Sequence, residues 1–268
     1  MNTALRHPAV PNDVRWMNRL STALLAGGAL ALGGAALLWS FQRPVFALTR
    51  ITVLGDVQHN NVVTVRANVA PRLGGNFYAL DLAQARAVFE QLPWVRRALV
   101  RREFPNRLKV VLQEHQAVAY WGAEDELRLV NSFGEVFEAN VDEVEQDDLP
   151  HLSGPDRQSH QVLAMYRLLK GPFALLDTGL EMLELSARGS WRAGLDSGAV
   201  IDMGTGSDEE IVQRVLRFVH TFTQVSSRYG RHADALLSAD LRYPQGYALR
   251  LYGVGTITAE DLPGGAKK

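Results

Sequence analysis

The pattern of apolar and polar positions changes character twice along the chain. From Leu20 to Phe41 there is no charged residue, and Arg19 and Arg43 bracket the stretch. As a helix these 22 residues would span about 33 Å, the thickness of a bilayer's hydrocarbon core. Leucines favour insertion, and Trp39 stands where an interfacial aromatic belongs. A cleaved signal peptide is the competing reading. Its apolar core, however, runs about 7 to 15 residues and ends in small residues at the cut, whereas this run ends in Trp-Ser-Phe-Gln-Arg. An uncleaved anchor over residues 20–41 is the expectation. Arg6, Arg15 and Arg19 outweigh Asp13 in the tail, residues 1–19, which puts the tail in the cytoplasm and the rest of the chain outside it.

Beyond the anchor the periods are those of a mixed α+β protein. Ile51 to Leu54 alternates as a strand and stops at Gly55-Asp56. Asn60 to Ala70 reads as a short helix closed by Pro71 and Gly74-Gly75. Asp81 can cap a second helix to Gln91, with Leu82, Ala85, Val88, Phe89 and Leu92 on one face and Pro93 as its stop. Strands follow over Val95–Arg102 and Arg107–Glu114, turned at Phe104-Pro105-Asn106. The order β-α-α-β-β makes a compact module. Short strands come next, at Val118–Trp121, Leu127–Val130 and Val136-Phe137, then an acidic loop from Asp142 to Asp148 and a helix from Ser159 to Leu169. Strands return at Met182–Ser186, Trp191–Leu195 and Ala199–Met203. Ser207 and Glu210 form a capping box, and Ile211, Val215, Leu216, Phe218, Val219 and Phe222 stripe one face of the helix it opens. Two last strands, Leu236–Tyr243 and Tyr247–Tyr252, meet at the hairpin turn Pro244-Gln245-Gly246.

Composition narrows the chemistry. Lys plus Arg (28) nearly balance Asp plus Glu (29), so bulk charge names neither nucleic acid nor an acidic substrate. The absence of cysteine removes disulfides, thiolate nucleophiles and Cys-ligated metals. None of the seven histidines sits in an HExxH, there is no GxSxG elbow, and Gly204-Thr205-Gly206 reads as a plain strand-to-helix turn. Asp142, Glu143, Glu145, Asp147 and Asp148 read as a solvated loop. No catalytic residue, cofactor or metal is expected. Arg96, Arg97, Arg101, Arg102, Arg107 and Lys109 gather on two neighbouring strands. They read as a hydrophilic strand face, with lipid head groups or a protein partner as the functional alternative.

Pro93-Trp94-Val95, then Val100-Arg101-Arg102-Glu103-Phe104-Pro105-Asn106-Arg107-Leu108 and Glu114, resembles the core motif of bacterial division proteins of the FtsQ/DivIB family. Phe104 departs from it, standing where tryptophan is usual. Ile51-Thr-Val-Leu-Gly55, Leu129-Val-Asn131 with Gly134-Glu-Val-Phe137, and Asp240-Leu-Arg-Tyr243 with Gly246 follow in the family's order. The resemblance implies a POTRA domain over 46–115, a β-rich domain with two helices over 116–258 and a tail over 259–268. It also implies a non-catalytic scaffold of the septal complex in the inner membrane, joining FtsB and FtsL to the cell-wall synthesis machinery. A POTRA module serving envelope protein assembly should carry repeated POTRA units or a β-barrel, and neither is evident. An extracytoplasmic enzyme is the remaining alternative.

The partner surface is expected at the last hairpin. Leu237, Ala239, Leu241 and Tyr243 share one face of its first strand, and Ser238, Asp240 and Arg242 the other. Its second strand then falls at a sheet edge, where main-chain groups are free to pair. Arg242, Tyr243, Gly246, Tyr247, Leu249 and Leu251 are the candidate contacts, and in the family the matching region is where FtsB docks.

Overall fold

The computed structural model describes residues 12–41, 47–60, 62–73, 76–123, 126–144, 149–228 and 233–253. Expectations that rest on Arg6, Gly74-Gly75, Glu145, Asp147, Asp148 and the tail over 259–268 fall outside them. The chain divides into two compact units, Met1–Glu114 and His115–Lys268.

The first unit opens with α1, Asn12–Phe41. It contains the whole expected anchor and starts earlier, so that Arg15 and Arg19 ride on the helix. It is long and apolar enough to cross a membrane over Asn12–Ala36, and Leu24, Leu25, Leu30 and Leu32 are exposed along it. Next come β1 (Arg50–Gly55), α2 (Val62–Val69), α3 (Leu82–Glu90), β2 (Val95–Glu103) and β3 (Arg107–Glu114). The sheet order is β1-β3-β2, with β1 parallel and β2 antiparallel to the central β3. Alternation sends Leu108, Val110 and Leu112 inward, and Val110 and Leu112 share one core with Val65, Val69, Ala85, Val88 and Phe89 of the two helices.

Local chemistry fixes these elements. Asp81 caps α3 by accepting from the Ala83 N–H at 2.7 Å, and Glu90 Oε1 accepts from the Ala98 N–H at 3.1 Å across to β2. The turn after β1 needs Gly55: its φ is +99°, and a Cβ there would collide with the Leu112 carbonyl oxygen. Trp94 is buried as a packing residue should be, and its ring stacks on His59 of the β1–α2 loop at 3.8 Å between centroids.

The second unit is built on one nine-stranded sheet. Its strands are β4 (Ala117–Trp121), β5 (Arg128–Asn131), β6 (Val136–Phe137), β7 (His151–Ser153), β8 (Leu180–Leu185), β9 (Trp191–Leu195), β10 (Val200–Gly204), β11 (Leu236–Asp240) and β12 (Ala248–Leu251). They lie in the order β12-β11-β10-β9-β8-β7-β4-β5-β6. Two helices, α4 (Ser159–Ala174) and α5 (Asp208–Arg228), pack on each other and on the sheet. Trp121, Leu152, Leu183, Trp191, Ile201 and Ala239 of the strands meet Met165, Phe173, Ile211, Val215 and Phe218 of the helices in one core. The capping box forms as expected, with Ser207 N–H donating to Glu210 Oε2 at 3.0 Å and Glu210 N–H to Ser207 Oγ at 3.3 Å.

Two elements depart from the periodic reading. Helix α4 continues past Leu169 and through Gly171-Pro172, because Phe173, wholly buried, anchors one more turn. Strand β7 has no counterpart in the expected elements. It is three residues long, too short to alternate, yet it sits between β4 and β8 and pairs in parallel with both.

Candidate partner-binding edge

The sheet ends at β12. Pairing in register joins Ala248 to Asp240, Leu249 to Ala239 and Arg250 to Ser238, and the hairpin turns at Tyr243–Gly246, where the Gly246 N–H reaches the Tyr243 oxygen at 3.5 Å. The other side of β12 pairs with no strand among the described residues. The Tyr252 N–H donates to the Ala235 oxygen at 2.9 Å, so by the two-residue alternation of an antiparallel ladder Arg250 and Ala248 also turn their main-chain groups toward β11. Leu249 and Leu251 therefore direct their N–H and C=O groups outward, off the edge.

The side chains of the hairpin divide by face. Leu251 is buried in the core and Leu249 packs against it. Tyr247 is half-buried: its ring meets Phe218 edge-on at 5.2 Å and its hydroxyl lies 2.7 Å from Thr221 Oγ1. With the Arg217 guanidinium donating to the Pro244 oxygen at 3.1 Å, these contacts hold the hairpin to α5. Tyr243 is 56% exposed, contrary to the face expected for it. Tyr243 lies beyond the end of β11 at Asp240, past the alternation that buries Ala239 and Leu241, while a bulge between Leu236 and Ser238 puts Leu236 in the core where Leu237 was expected. Gly246 has open space where a Cβ would stand, so neither sterics nor backbone demands glycine there.

Arg242 lies on the opposite face, in a row of charges that sequence spacing alone did not connect. Its Nη2 donates to Asp240 Oδ2 at 2.6 Å and its Nε to Asp240 Oδ1 at 2.8 Å. This hydrogen bonding holds the Asp240 carboxyl below its ordinary range and keeps the guanidinium charged. In the same row, register sets Arg192 of β9 beside Asp202 of β10 and Asp202 beside Asp240. Arg192 Nε donates to Asp202 Oδ1 at 2.9 Å and its Nη1 is 3.8 Å from Glu184 Oε2. Arg192 is the residue the sequence reading missed. The β9-β10-β11 neighbourhood that joins it to Asp202 and Asp240 exists only in the folded sheet.

Little here resembles a reaction centre. No group of three His, Cys, Asp or Glu residues is placed to hold a metal among the described residues. A hollow of about 420 Å³ on the sheet is lined in part by His151, Ser153 and Glu181, and among the described residues no hydrogen bond links these three. The His151 ring instead lies 5.0 Å from that of Tyr120.

Comparison with known proteins bears on the whole chain. Residues 46–115 match the POTRA domain of FtsQ type, and residues 119–242 match the C-terminal region of cell division protein FtsQ/DivIB. The cell division protein FtsQ of Burkholderia pseudomallei is 39% identical over 251 residues, covering 93% of this chain and 98% of that protein. Those of Thiomonas arsenitoxydans (40% over 260 residues, 95% and 91%) and Bordetella pertussis (39% over 259 residues, 90% and 92%) are similar to the same extent. With an N-terminal apolar helix, a POTRA module and a β-rich unit in one order along the sequence, the chain belongs to the FtsQ/DivIB family of cell division proteins.

Proposed function

We propose that the chain is a single-pass, non-catalytic scaffold of the bacterial division complex that captures FtsB, and with it FtsL, by strand addition to β12. The unpaired edge is the observation that carries this reading. Outward N–H and C=O groups of Leu249 and Leu251 offer a ladder to an incoming strand, which supplies affinity through the main chain. Tyr243, exposed beside the hairpin, and Arg242, on the outward face, add an aromatic and a charged contact. Arg15 and Arg19 support an orientation with the N-terminus in the cytoplasm and both soluble units in the periplasm. On this reading the complex forms at the division septum and links to the cell-wall synthesis machinery.

Co-purification of FtsB and FtsL with the full chain from membranes tests it. Leu249→Pro, and separately Arg242→Glu with Tyr243→Ala, should abolish capture. Wild-type capture by both variants would overturn the assignment of the edge.

A further inference from the structure

Strand alternation and register lay out the open face of the β1-β3-β2 sheet in rows. Arg50, Arg107 and Glu103 form the row at the start of β1, Thr52, Lys109 and Arg101 the next, and Leu54, Val111 and Leu99 the third, with Gln113 and Arg97 beyond. The third row is apolar and exposed: Leu54 to 43%, Val111 to 37% and Leu99 to 49%. Around it stand five cations, Arg50, Arg97, Arg101, Arg107 and Lys109, against one carboxylate in these rows, Glu103; Glu114, which ends β3, is buried against His59 and Asn60. None of the five makes an ion pair or side-chain hydrogen bond among the described residues. Arg102, by contrast, turns to the other face and donates to the Phe77 and Leu80 oxygens at 3.0 and 2.6 Å.

This basic, apolar-centred face is tethered beside a bilayer. Only residues 42–49 separate Phe41, the end of α1, from Arg50, the start of β1. Even fully extended they keep the first row within about 30 Å of the helix end. We propose that the face is a membrane contact, with Leu54, Val111 and Leu99 settling among the head groups while the five cations pair with the phosphates of anionic phospholipids. Each cation near an anionic surface contributes about 1 kcal/mol, or about fivefold in the ratio of bound to free face. A flat three-stranded face with cations on both sides of an apolar row suits a planar array of phosphates. The short tether holds that array at high effective concentration, an advantage no diffusing acidic protein shares.

The chain contains no cysteine, so Leu99→Cys gives one site for a fluorophore in the full chain. Placed in nanodiscs that carry a lipid-borne quencher, the label should be quenched when phosphatidylglycerol is present and not in phosphatidylcholine alone. Arg101→Gln and Lys109→Gln, at exposed positions, should each lower the ratio of quenched to unquenched label about fivefold, and 1 M salt should remove quenching by shrinking the Debye length to about 3 Å. A label at Val63→Cys, on the exposed side of α2, should stay unquenched, and circular dichroism should show each variant folded. No quenching at Leu99→Cys in anionic nanodiscs, or equal quenching in neutral ones, overturns the proposal. Shielding of the label only in native membranes, with none in lipid nanodiscs, would assign the face to an acidic protein and overturns it as well.

Discussion

Asn60 gives both its backbone N–H, at 2.9 Å, and its side-chain N–H, at 3.0 Å, to one oxygen of Glu114, 54 positions further along. The other oxygen accepts from the His59 N–H and meets its Nδ1, each at 3.1 Å. One carboxylate at the end of β3 therefore ties down the loop that leads from β1 into α2. Its side chain is 5% exposed, so truncation strands polar groups that water cannot easily reach. Glu114→Ala should cost about 2 to 3 kcal/mol, the cost of leaving charge-assisted hydrogen bonds unmade, read as a lower melting temperature of the full chain in detergent.

The same carboxylate gives the POTRA unit a pH dependence. Burial alone would raise its pKa, but the bonds from His59 and Asn60 outweigh burial and hold it below the ordinary glutamate value. A depressed carboxylate stabilises the fold above its unfolded pKa and loses that contribution as pH falls through the folded value. Stability contributed by Glu114 is thus complete near neutrality and lost under acid conditions, below about pH 4.3. Glu114→Gln should flatten the acid limb of the pH–stability curve. An unchanged acid limb would show that another group carries it.

Trp94→Ala should destabilise the same unit by about 3 to 5 kcal/mol, since the ring is 3% exposed and stacked on His59. Loss of the stack should also free the loop that Glu114 pins, so hydrogen exchange at the His59 and Asn60 amides should accelerate in this variant. Exchange unchanged at those amides would mean that the stack does not hold the loop.

Much of this architecture is legible in periodicity, because alternation and caps are local. The β-α-α-β-β order, the Asp81 cap and the Ser207–Glu210 box all follow from residues a few positions apart. What escaped was set by long-range pairing. His151–Ser153 becomes a strand because β4 and β8 flank it, and nothing in three residues announces that. A bulge at Leu237 moved the core position at the start of one strand to Leu236 while Ala239 and Leu241 kept their expected face, and the Arg192–Asp202–Asp240 row needs three strands brought side by side. At the candidate edge, β12 was legible as a terminal hairpin strand. The burial of Tyr247 against Phe218 of α5 was not, since no local signal links the two.

Leu32→Arg should impair membrane insertion by about 3 kcal/mol, the cost of a cation at a helix centre. Leu32 lies inside α1 and is exposed along it, so no neighbouring group of the described residues stands ready to pair with the guanidinium. Fractionation of the variant should show a larger share of chain outside the membrane pellet. Wild-type fractionation would argue that a partner helix solvates the charge.

The edge itself can be separated from the fold by where a proline is put. Truncation after Tyr243 is a poor probe, because it removes Tyr247, Leu249 and Leu251 from the core as well as from the edge. A proline deletes one N–H and little else, and the two neighbours Leu249 and Arg250 present theirs to opposite sides. Arg250 donates toward β11, as the Tyr252–Ala235 bond fixes by parity, so Arg250→Pro should break a ladder bond and lower the melting temperature. Leu249 donates outward, so Leu249→Pro should cost only part of its apolar packing while deleting a donor that an added strand would need. Binding of FtsB should therefore fall far more in Leu249→Pro than its stability does, whereas in Arg250→Pro the two losses should track each other. Equal binding losses per degree of melting temperature in the two variants would show that the partner does not use the main chain of β12.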